Sequence, residues 1–130
     1  MDTRNKILEA PGPEETSWPD FARPLAVVTG YFDVLRAEHA RDLRHARDAA
    51  GAATLLAIVL PSPTALLPQR ARAELVAALR AVDYVAAADA DDVEGLVASL
   101  QPANLLRLEE ADKRRVRQLR EHVRNRSHNA

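Results

Sequence analysis

Apolar runs alternate with amphipathic segments along the middle of the chain. The run 54–60 is continuously apolar, as is typical of a strand covered on both faces of a parallel sheet. The run 25–30 has the same character and stops at a glycine. Two shorter runs, 82–88 and 104–108, follow later in the sequence. The pattern therefore predicts four strands, with 61–63 (Pro-Ser-Pro) ending the second abruptly.

Apolar residues between these runs recur at helical spacing. The segment 38–50 carries a stripe of Ala40, Leu43, Ala46 and Ala50, and Gly51 follows as the expected C-terminal residue. A second helix is predicted over 69–81, and a third over 92–100 with Asp91 or Asp92 as its N-cap. The inward side chains predicted for these two helices are Leu75, Val76 and Leu79, and Val93, Leu96, Val97 and Leu100.

Strict alternation of strand and helix predicts the fold class. Right-handed crossovers between parallel strands give an α/β, Rossmann-like open parallel sheet with helices on both faces. Ligands of such sheets bind beyond the carboxyl ends of the strands, at the point where the strand order reverses. Thr29 and Gly30 lie at such a strand end.

The first 22 residues read as a Pro-rich N-terminal arm. Pro11, Pro13 and Pro19 stand among acidic residues, a composition that buries too little surface to order itself. Trp18 and Phe21 are the aromatic residues that would hold the arm against another surface. Two interpretations stay open: the aromatic rings pack on their own domain, or they form a dimer contact.

The last segment, 109–130, is predicted to form a helix, with Val116, Leu119 and Val123 as a narrow apolar stripe. Its other positions are strongly basic. This face is either a solvated surface whose cations favour the helix C-terminus or a phosphate-binding or nucleic-acid-binding surface. Because no aromatic side chains are interleaved for base stacking, nucleic acid is not the expected partner.

Composition limits the size and the class of the protein but does not indicate a function. A length of 130 residues suits one domain, predicted over 23–126 with a tail at 127–130. A formal net charge of −1 gives no overall attraction to nucleic acid or membrane. The chain has no cysteine, no long apolar run and no signal-peptide core. The sequence therefore predicts a cytoplasmic protein without a membrane partner.

The junction between the first strand and the first helix is the best functional lead. A strand that ends in a tight turn before a helix brings several backbone N–H groups and the positive end of the helix dipole to one point. This arrangement favours phosphate binding. The residues concerned run from Thr29 to His39.

The same residues carry a family resemblance. The run Thr29-Gly30-Tyr31-Phe32-Asp33, followed by 36–39 (Arg-Ala-Glu-His), resembles the T/N-G-x-F-D and H-x-G-H signature of the cytidylyltransferase-like nucleotidyltransferases. The nearest groups are the heptose-phosphate adenylyltransferases and the glycerol-3-phosphate cytidylyltransferases. The run 69–85 is similar to a second segment of that family, and the resemblance covers about residues 25–106.

The resemblance implies a reaction and a site. A substrate phosphate attacks the α-phosphorus of ATP or CTP, with Mg²⁺ as the accompanying cofactor, and pyrophosphate leaves. A homodimer is implied as well. From the residues themselves, no metal site is expected, because His39 and His45 do not share a helix face and the chain has no cysteine. The catalytic residue carried over is His39, and the residues carried over for nucleotide or phosphate binding are Thr29, Gly30, Tyr31, Phe32, Asp33, Arg36, His39 and Arg72.

Two positions of the H-x-G-H motif depart from the family. Arg36 replaces the first histidine, and Glu38 replaces the glycine. A carboxylate about 4 Å from a phosphate oxygen costs on the order of 4 kcal/mol at an effective dielectric near 20. One charged hydrogen bond from Arg36 would contribute only about 1.5–3 kcal/mol to binding, which is less than this cost. The family's lysine after the second strand, its last phosphate-binding segment and its fifth strand are also absent, so the nucleotide site is expected to be weakened.

Two functional hypotheses follow. The first is a divergent cytidylyltransferase-like protein with impaired or absent catalysis, which keeps the fold for nucleotide or phosphate binding or as an interaction module. The second is an active enzyme that transfers AMP or CMP from a nucleoside triphosphate to a phosphorylated sugar or polyol.

Overall fold

The computed structural model describes residues 2–9, 18–33, 35–89, 91–109, 114 and 121. Within these residues, five strands alternate with three α-helices after a short 3₁₀ turn at Arg4–Lys6. The strands are β1 (Ile7–Glu9), β2 (Leu25–Gly30), β3 (Thr54–Val59), β4 (Tyr84–Ala87) and β5 (Asn104–Arg107). The helices are α1 (Ala37–Ala50), α2 (Gln69–Ala77) and α3 (Val93–Leu100).

The strands form one parallel sheet in the order β1-β4-β3-β2-β5. The chain leaves β2 toward β3 and β4, and then returns past both to place β5 on the other side of β2. The order therefore reverses between β2 and β5, and Thr29 of β2 pairs with Arg107 of β5 there. The predicted Rossmann-like α/β fold is confirmed.

Helices cover both faces of the sheet, as predicted. On one face, α1 and α2 contribute Leu43, Ala46 and Val76 to a cluster with β2, β3 and β4. On the other face, α3 packs against the sheet through the predicted stripe of Val93, Leu96, Val97 and Leu100, all buried. The backbone of Gly51 is left-handed (φ 57°) and ends α1 as expected.

The strand β1 is a correction to the sequence analysis. Composition predicted an unordered arm, but Ile7, Leu8 and Glu9 pair with β4 and add a fifth strand at its edge. Three residues followed by prolines are too short to show a strand pattern. The strand forms because β4 offers an unpaired edge, so its stability comes from tertiary contacts.

The aromatic residues of the predicted arm pack on their own domain. The Phe21 ring lies 5.1 Å from the Tyr84 ring, and the Trp18 ring lies 6.2 Å from Phe21. The indole N–H of Trp18 donates to Ser99 Oγ at 3.1 Å. The first of the two interpretations of these aromatics is therefore confirmed.

Helix α2 differs from its prediction in length and in orientation. It ends at Ala77 rather than at 81, and Leu75 is 44% exposed although it was predicted to point inward. The buried positions are Arg72, Ala73, Val76 and Ala77. A long polar side chain, Arg72, therefore lies on the buried face of α2, and Leu75 lies outside it.

The strand β4 and the helix α3 differ slightly from their predictions. Strand β4 begins at Tyr84 rather than at 82. Asp92 stands at the N-cap of α3 as expected, but its side chain makes no capping hydrogen bond because the residue already has helical dihedral angles.

The predicted C-terminal helix of the segment 109–130 lies outside the described residues except for Glu109, Arg114 and Glu121. Its apolar stripe and basic face stay predictions. No helix of the described part combines the length and the apolarity that a membrane span requires.

A charged network stabilises the amino edge of the sheet. Asp83 Oδ2 accepts hydrogen bonds from the backbone N–H of Leu55 at 2.8 Å and from Arg47 Nη1 at 2.5 Å. Arg47 Nη1 also donates to the carbonyl of Ala81 at 3.0 Å. One carboxylate therefore joins α1, β3 and the turn before β4.

We expect Asp83→Ala to destabilise the protein by about 1–3 kcal/mol, because Leu55 is buried and its N–H loses its acceptor. The matched control is Asp48→Ala, which removes an exposed carboxylate from the last turn of α1 and should change stability by less than about 0.5 kcal/mol. Urea unfolding of the two variants makes the comparison. Equal effects would show that the network contributes nothing specific.

Candidate functional site

The candidate site lies where β2 and β5 end side by side. After Gly30 the chain turns through Tyr31, Phe32 and Asp33 and enters α1 at Ala37. The turn and the N-terminus of α1 therefore follow directly from the strand at which the order reverses. This is the position that an open parallel sheet offers to a ligand.

Thr29 joins the two strands at this point. Its side chain is fully buried, and its hydroxyl donates a short hydrogen bond to Glu109 Oε1. The backbone N–H of Leu108 donates to the carbonyl of Thr29 at 2.8 Å. Sequence reasoning missed Glu109; its place directly after β5, at the carboxyl edge, is the signal that could have identified it.

Phe32 has an unusual backbone conformation in the turn. Its φ of 51° lies in the left-handed region, which a bulky side chain rarely adopts. The ring is fully buried and lies 5.9 Å from the imidazole of His39, measured between centroids. Packing under α1 therefore holds a strained turn in place, and strain of this kind is often stored at functional sites.

His39 stands in the first turn of α1, as predicted, but it is only 2% exposed. Its Nδ1 accepts a hydrogen bond from the backbone N–H of Arg36 at 3.1 Å. Since Nδ1 is an acceptor, the imidazole carries its proton on Nε2. His39 thus caps the helix with one nitrogen, whereas the side chain of Arg36 is exposed at the helix start.

Arg72 is buried at the carboxyl edge of the sheet and donates hydrogen bonds to three backbone carbonyls. Its Nη1 donates to Tyr31 at 2.5 Å and to Leu60 at 2.8 Å, and its Nε donates to Leu67 at 3.1 Å. Burial lowers the pKa of the guanidinium below its usual value, and the nearby Asp33 acts in the opposite direction. These contacts are structural. A role for Arg72 in phosphate binding stays a prediction.

Two further side chains connect the loops at this edge. Asp33 Oδ1 accepts from the backbone N–H of Leu66 at 2.8 Å, which fixes the loop after β3. The side-chain amide of Gln69 donates to the carbonyls of Val59 and Ala88 at 2.9 and 3.0 Å. Gln69 was not identified from the sequence, which offers no signal for it.

Arg107 lies at the end of β5, but it pairs with α3. Its Nη1 and Nη2 reach the two carboxylate oxygens of Glu94 at 2.6 and 3.0 Å. The hydrogen bond to Arg107 lowers the pKa of Glu94, and the same bond raises the pKa of Arg107. The guanidinium is therefore oriented by Glu94 rather than toward the turn after β2.

Contacts join some of the residues predicted for the site. Arg72 bonds to Tyr31, the Phe32 ring packs on His39, and His39 bonds to the backbone of Arg36. Within the described residues, no group of three or more His, Cys, Asp or Glu side chains is arranged to hold a metal ion.

Comparison with known proteins supports the fold. No family model matches the sequence, and no curated protein matches it. Among solved structures, the chain is similar to the lipopolysaccharide core biosynthesis protein from Thermoplasma volcanium GSS1, with a TM-score of 0.56 and 20% identity. The similarity covers 62% of this chain and 70% of that one. The chain is therefore a Rossmann-like α/β protein, and at this identity the likeness shows the fold alone.

We expect Arg72→Ala to cost at least about 3 kcal/mol of stability, because three carbonyls lose a charged donor and a buried side chain is removed. The control is Arg70→Ala on the same helix, whose exposed guanidinium pairs with Glu74 at 3.4 Å and should contribute about 0–1 kcal/mol. Chemical denaturation measures both variants. A loss for Arg72→Ala no larger than for Arg70→Ala would contradict the structural role.

The Glu94–Arg107 pair predicts a change in acid stability. Because the folded pKa of Glu94 is lowered, its contribution is present above the ordinary glutamate pKa of about 4.3 and is lost as the pH falls through the folded value. Glu94→Gln should therefore unfold at a midpoint that depends less on pH below about 5. Thermal unfolding from pH 3 to 7 tests this, and parallel curves for variant and wild type would contradict it.

Proposed function

We propose that this protein is a divergent cytidylyltransferase-like protein that binds the phosphate groups of a nucleotide at the turn after β2, with impaired or absent nucleotidyl transfer. The phosphates would lie over the turn 30–33 and the N-terminus of α1. Arg36 would supply the charged contact. ATP and CTP, each with Mg²⁺, are the proposed ligands.

The observation that carries the binding proposal is the position of the turn. It leaves the strand at which the sheet order reverses, and a helix of 14 residues begins four residues after Asp33. The strained conformation of Phe32 supports the proposal, because the packing that holds this turn would fix the backbone amides around a ligand. The exposed side chain of Arg36 at the helix start is a suitable phosphate partner.

We propose impaired transfer because side chains that catalysis would use are bonded to the backbone, and because carboxylates lie near the turn. His39 is buried and uses Nδ1 to cap α1, and the guanidinium of Arg72 serves backbone carbonyls. Two carboxylates, Glu38 in the first turn of α1 and Glu109 beside Thr29, lie where phosphates would bind. Because transfer of this kind depends on electrostatic stabilisation of phosphoryl oxygens, negative charge there opposes it.

Active transfer is the second candidate function. It is favoured by the similar solved structure, which is a lipopolysaccharide core biosynthesis protein. In this case the chain would transfer AMP or CMP to a phosphorylated sugar or polyol. A small phosphorylated metabolite would then be the second ligand, and pyrophosphate release is the measurable product.

We expect Glu38→Gln to strengthen ATP or CTP binding by roughly three- to tenfold, because the exposed carboxylate no longer repels the phosphates. The matched control is Asp48→Asn, which removes an exposed carboxylate at the other end of α1, about 15 Å along the helix axis. Calorimetric titration with and without Mg²⁺ compares both variants with wild type. The gain should shrink at high salt.

The same titrations decide between the functions. Binding that is lost in Arg36→Ala supports a nucleotide site at the start of α1. A pyrophosphate-release screen over sugar and polyol phosphates then separates the candidates: no release supports impaired catalysis, and release with a particular acceptor supports the active enzyme. No nucleotide binding by wild type or by Glu38→Gln would contradict both.

A further inference from the structure

A cavity lies at the amino edge of the sheet, at the opposite end of the strands from the turn after β2. Its volume is about 570 Å³, which is within the range of ligand pockets in proteins. The residues before β1 and those at the starts of β3 and β4 line it together. Among the described residues that line it, every side chain except that of Ala53 carries a hydrogen-bonding group. We call this space the amino-edge cavity.

Thr54, the first residue of β3, brings a hydroxyl without a partner to the amino-edge cavity. The residue is only 4% exposed, and within the described part of the chain its side chain makes no hydrogen bond. Every fully enclosed polar side-chain atom of the described residues has a partner, so this hydroxyl must be open to solvent. The amino-edge cavity is the solvent space that Thr54 lines. Because buried polar groups are nearly always hydrogen-bonded, this hydroxyl is suited to a ligand.

Lys6 supplies a positive charge to the same cavity. Its Nζ donates a hydrogen bond to the carbonyl of Val82 at 2.9 Å, which holds the ammonium in place. An ammonium group has three donors, so two of them stay available. Among the described residues, no carboxylate forms an ion pair with Lys6.

The two carboxylates that line the amino-edge cavity each have an arginine of their own. Asp2 accepts hydrogen bonds from Arg4 Nε at 3.0 Å and from Arg4 Nη2 at 2.9 Å. Asp83 pairs with Nη1 of Arg47. Since these charges compensate each other, the ammonium of Lys6 is the one charge of the described lining that lacks a counter-charge. The cavity therefore favours a ligand with a single negative charge.

We propose that the amino-edge cavity binds a small organic carboxylate, whose oxygens accept hydrogen bonds from Lys6 Nζ and from the hydroxyl of Thr54. A bond between an ammonium and a carboxylate is charge-assisted and is stronger than a neutral one. A phosphate group fits less well, because it carries nearly two negative charges and would lie close to Asp2 and Asp83. The proposal does not rest on the proposed nucleotide site, which lies at the other edge of the sheet.

The test is an NMR titration of the full chain with acetate at constant ionic strength. Acetate should shift the amide signals of Lys6, Thr54 and Asp83 with a Kd in the millimolar range, as is usual for so small a probe. Lys6→Gln, which keeps a donor but removes the charge, and Thr54→Val, which removes the hydroxyl, should each weaken binding about tenfold. The matched control, Arg44→Gln, removes an exposed cation from α1 and should change the Kd by less than about twofold.

Thermal unfolding of Thr54→Val separates a binding role from a structural one. Because the hydroxyl makes no bond within the described residues, the variant should be at least as stable as wild type although it binds acetate more weakly. A lower unfolding midpoint for Thr54→Val would show a structural role and overturn the proposal.

Three further results would overturn it. The first is the absence of saturable shifts at these three amides in wild type. The second is an unchanged acetate Kd in both Lys6→Gln and Thr54→Val. The third concerns methyl phosphate, titrated in the same way: tighter binding than that of acetate at these amides would contradict the preference for a carboxylate.

Discussion

The hydrogen bonds of Arg72 are the constraint on which the carboxyl edge of the sheet depends. One buried guanidinium joins the turn after β2, the end of β3 and the loop before α2. Removing a charge from water is costly, and here the cost is offset by hydrogen bonds to three backbone carbonyls. The helix that carries Arg72 buries Val76 beside it and exposes Leu75.

This constraint also shapes the candidate site. The polar side chains at the ends of β2 and β3 mostly bond to the backbone: Arg72, Gln69 and Asp33 all do so. Among the described residues, Arg72 is bonded to carbonyls, and Arg107 is held by Glu94. The proposed anion site is therefore the start of α1, where Arg36 is exposed and where Glu38 should weaken the attraction.

Local patterns in the sequence predicted much of the fold. The helix α1, its end at Gly51 and the buried stripe of α3 follow from periodicity and from one glycine, which act within a few residues. The strand β1 was missed because its stability comes from the edge of β4. The exposure of Leu75 was missed because hydrophobicity does not reveal that an arginine, Arg72, lies on the buried face of the same helix.

Part of the candidate site could likewise be predicted from the sequence, and part could not. The turn 29–33 and the start of α1 were predicted from a contiguous motif, and they do lie together in the structure. Glu109 and Gln69 were not predicted, because their roles come from residues that are distant in sequence. His39 was predicted in the correct helical turn, but its burial depends on packing against Phe32.

The most direct test of a phosphate site at the start of α1 is to map nucleotide binding on the backbone amides by heteronuclear NMR. We predict that CTP or ATP with Mg²⁺ shifts the amide signals of Gly30, Tyr31 and Phe32 and of residues 36–39. Signals at the amino edge, such as Leu55 and Asp83, should stay unchanged. Shifts confined to other parts of the chain, or no shifts at millimolar nucleotide, would contradict a phosphate site at the start of α1.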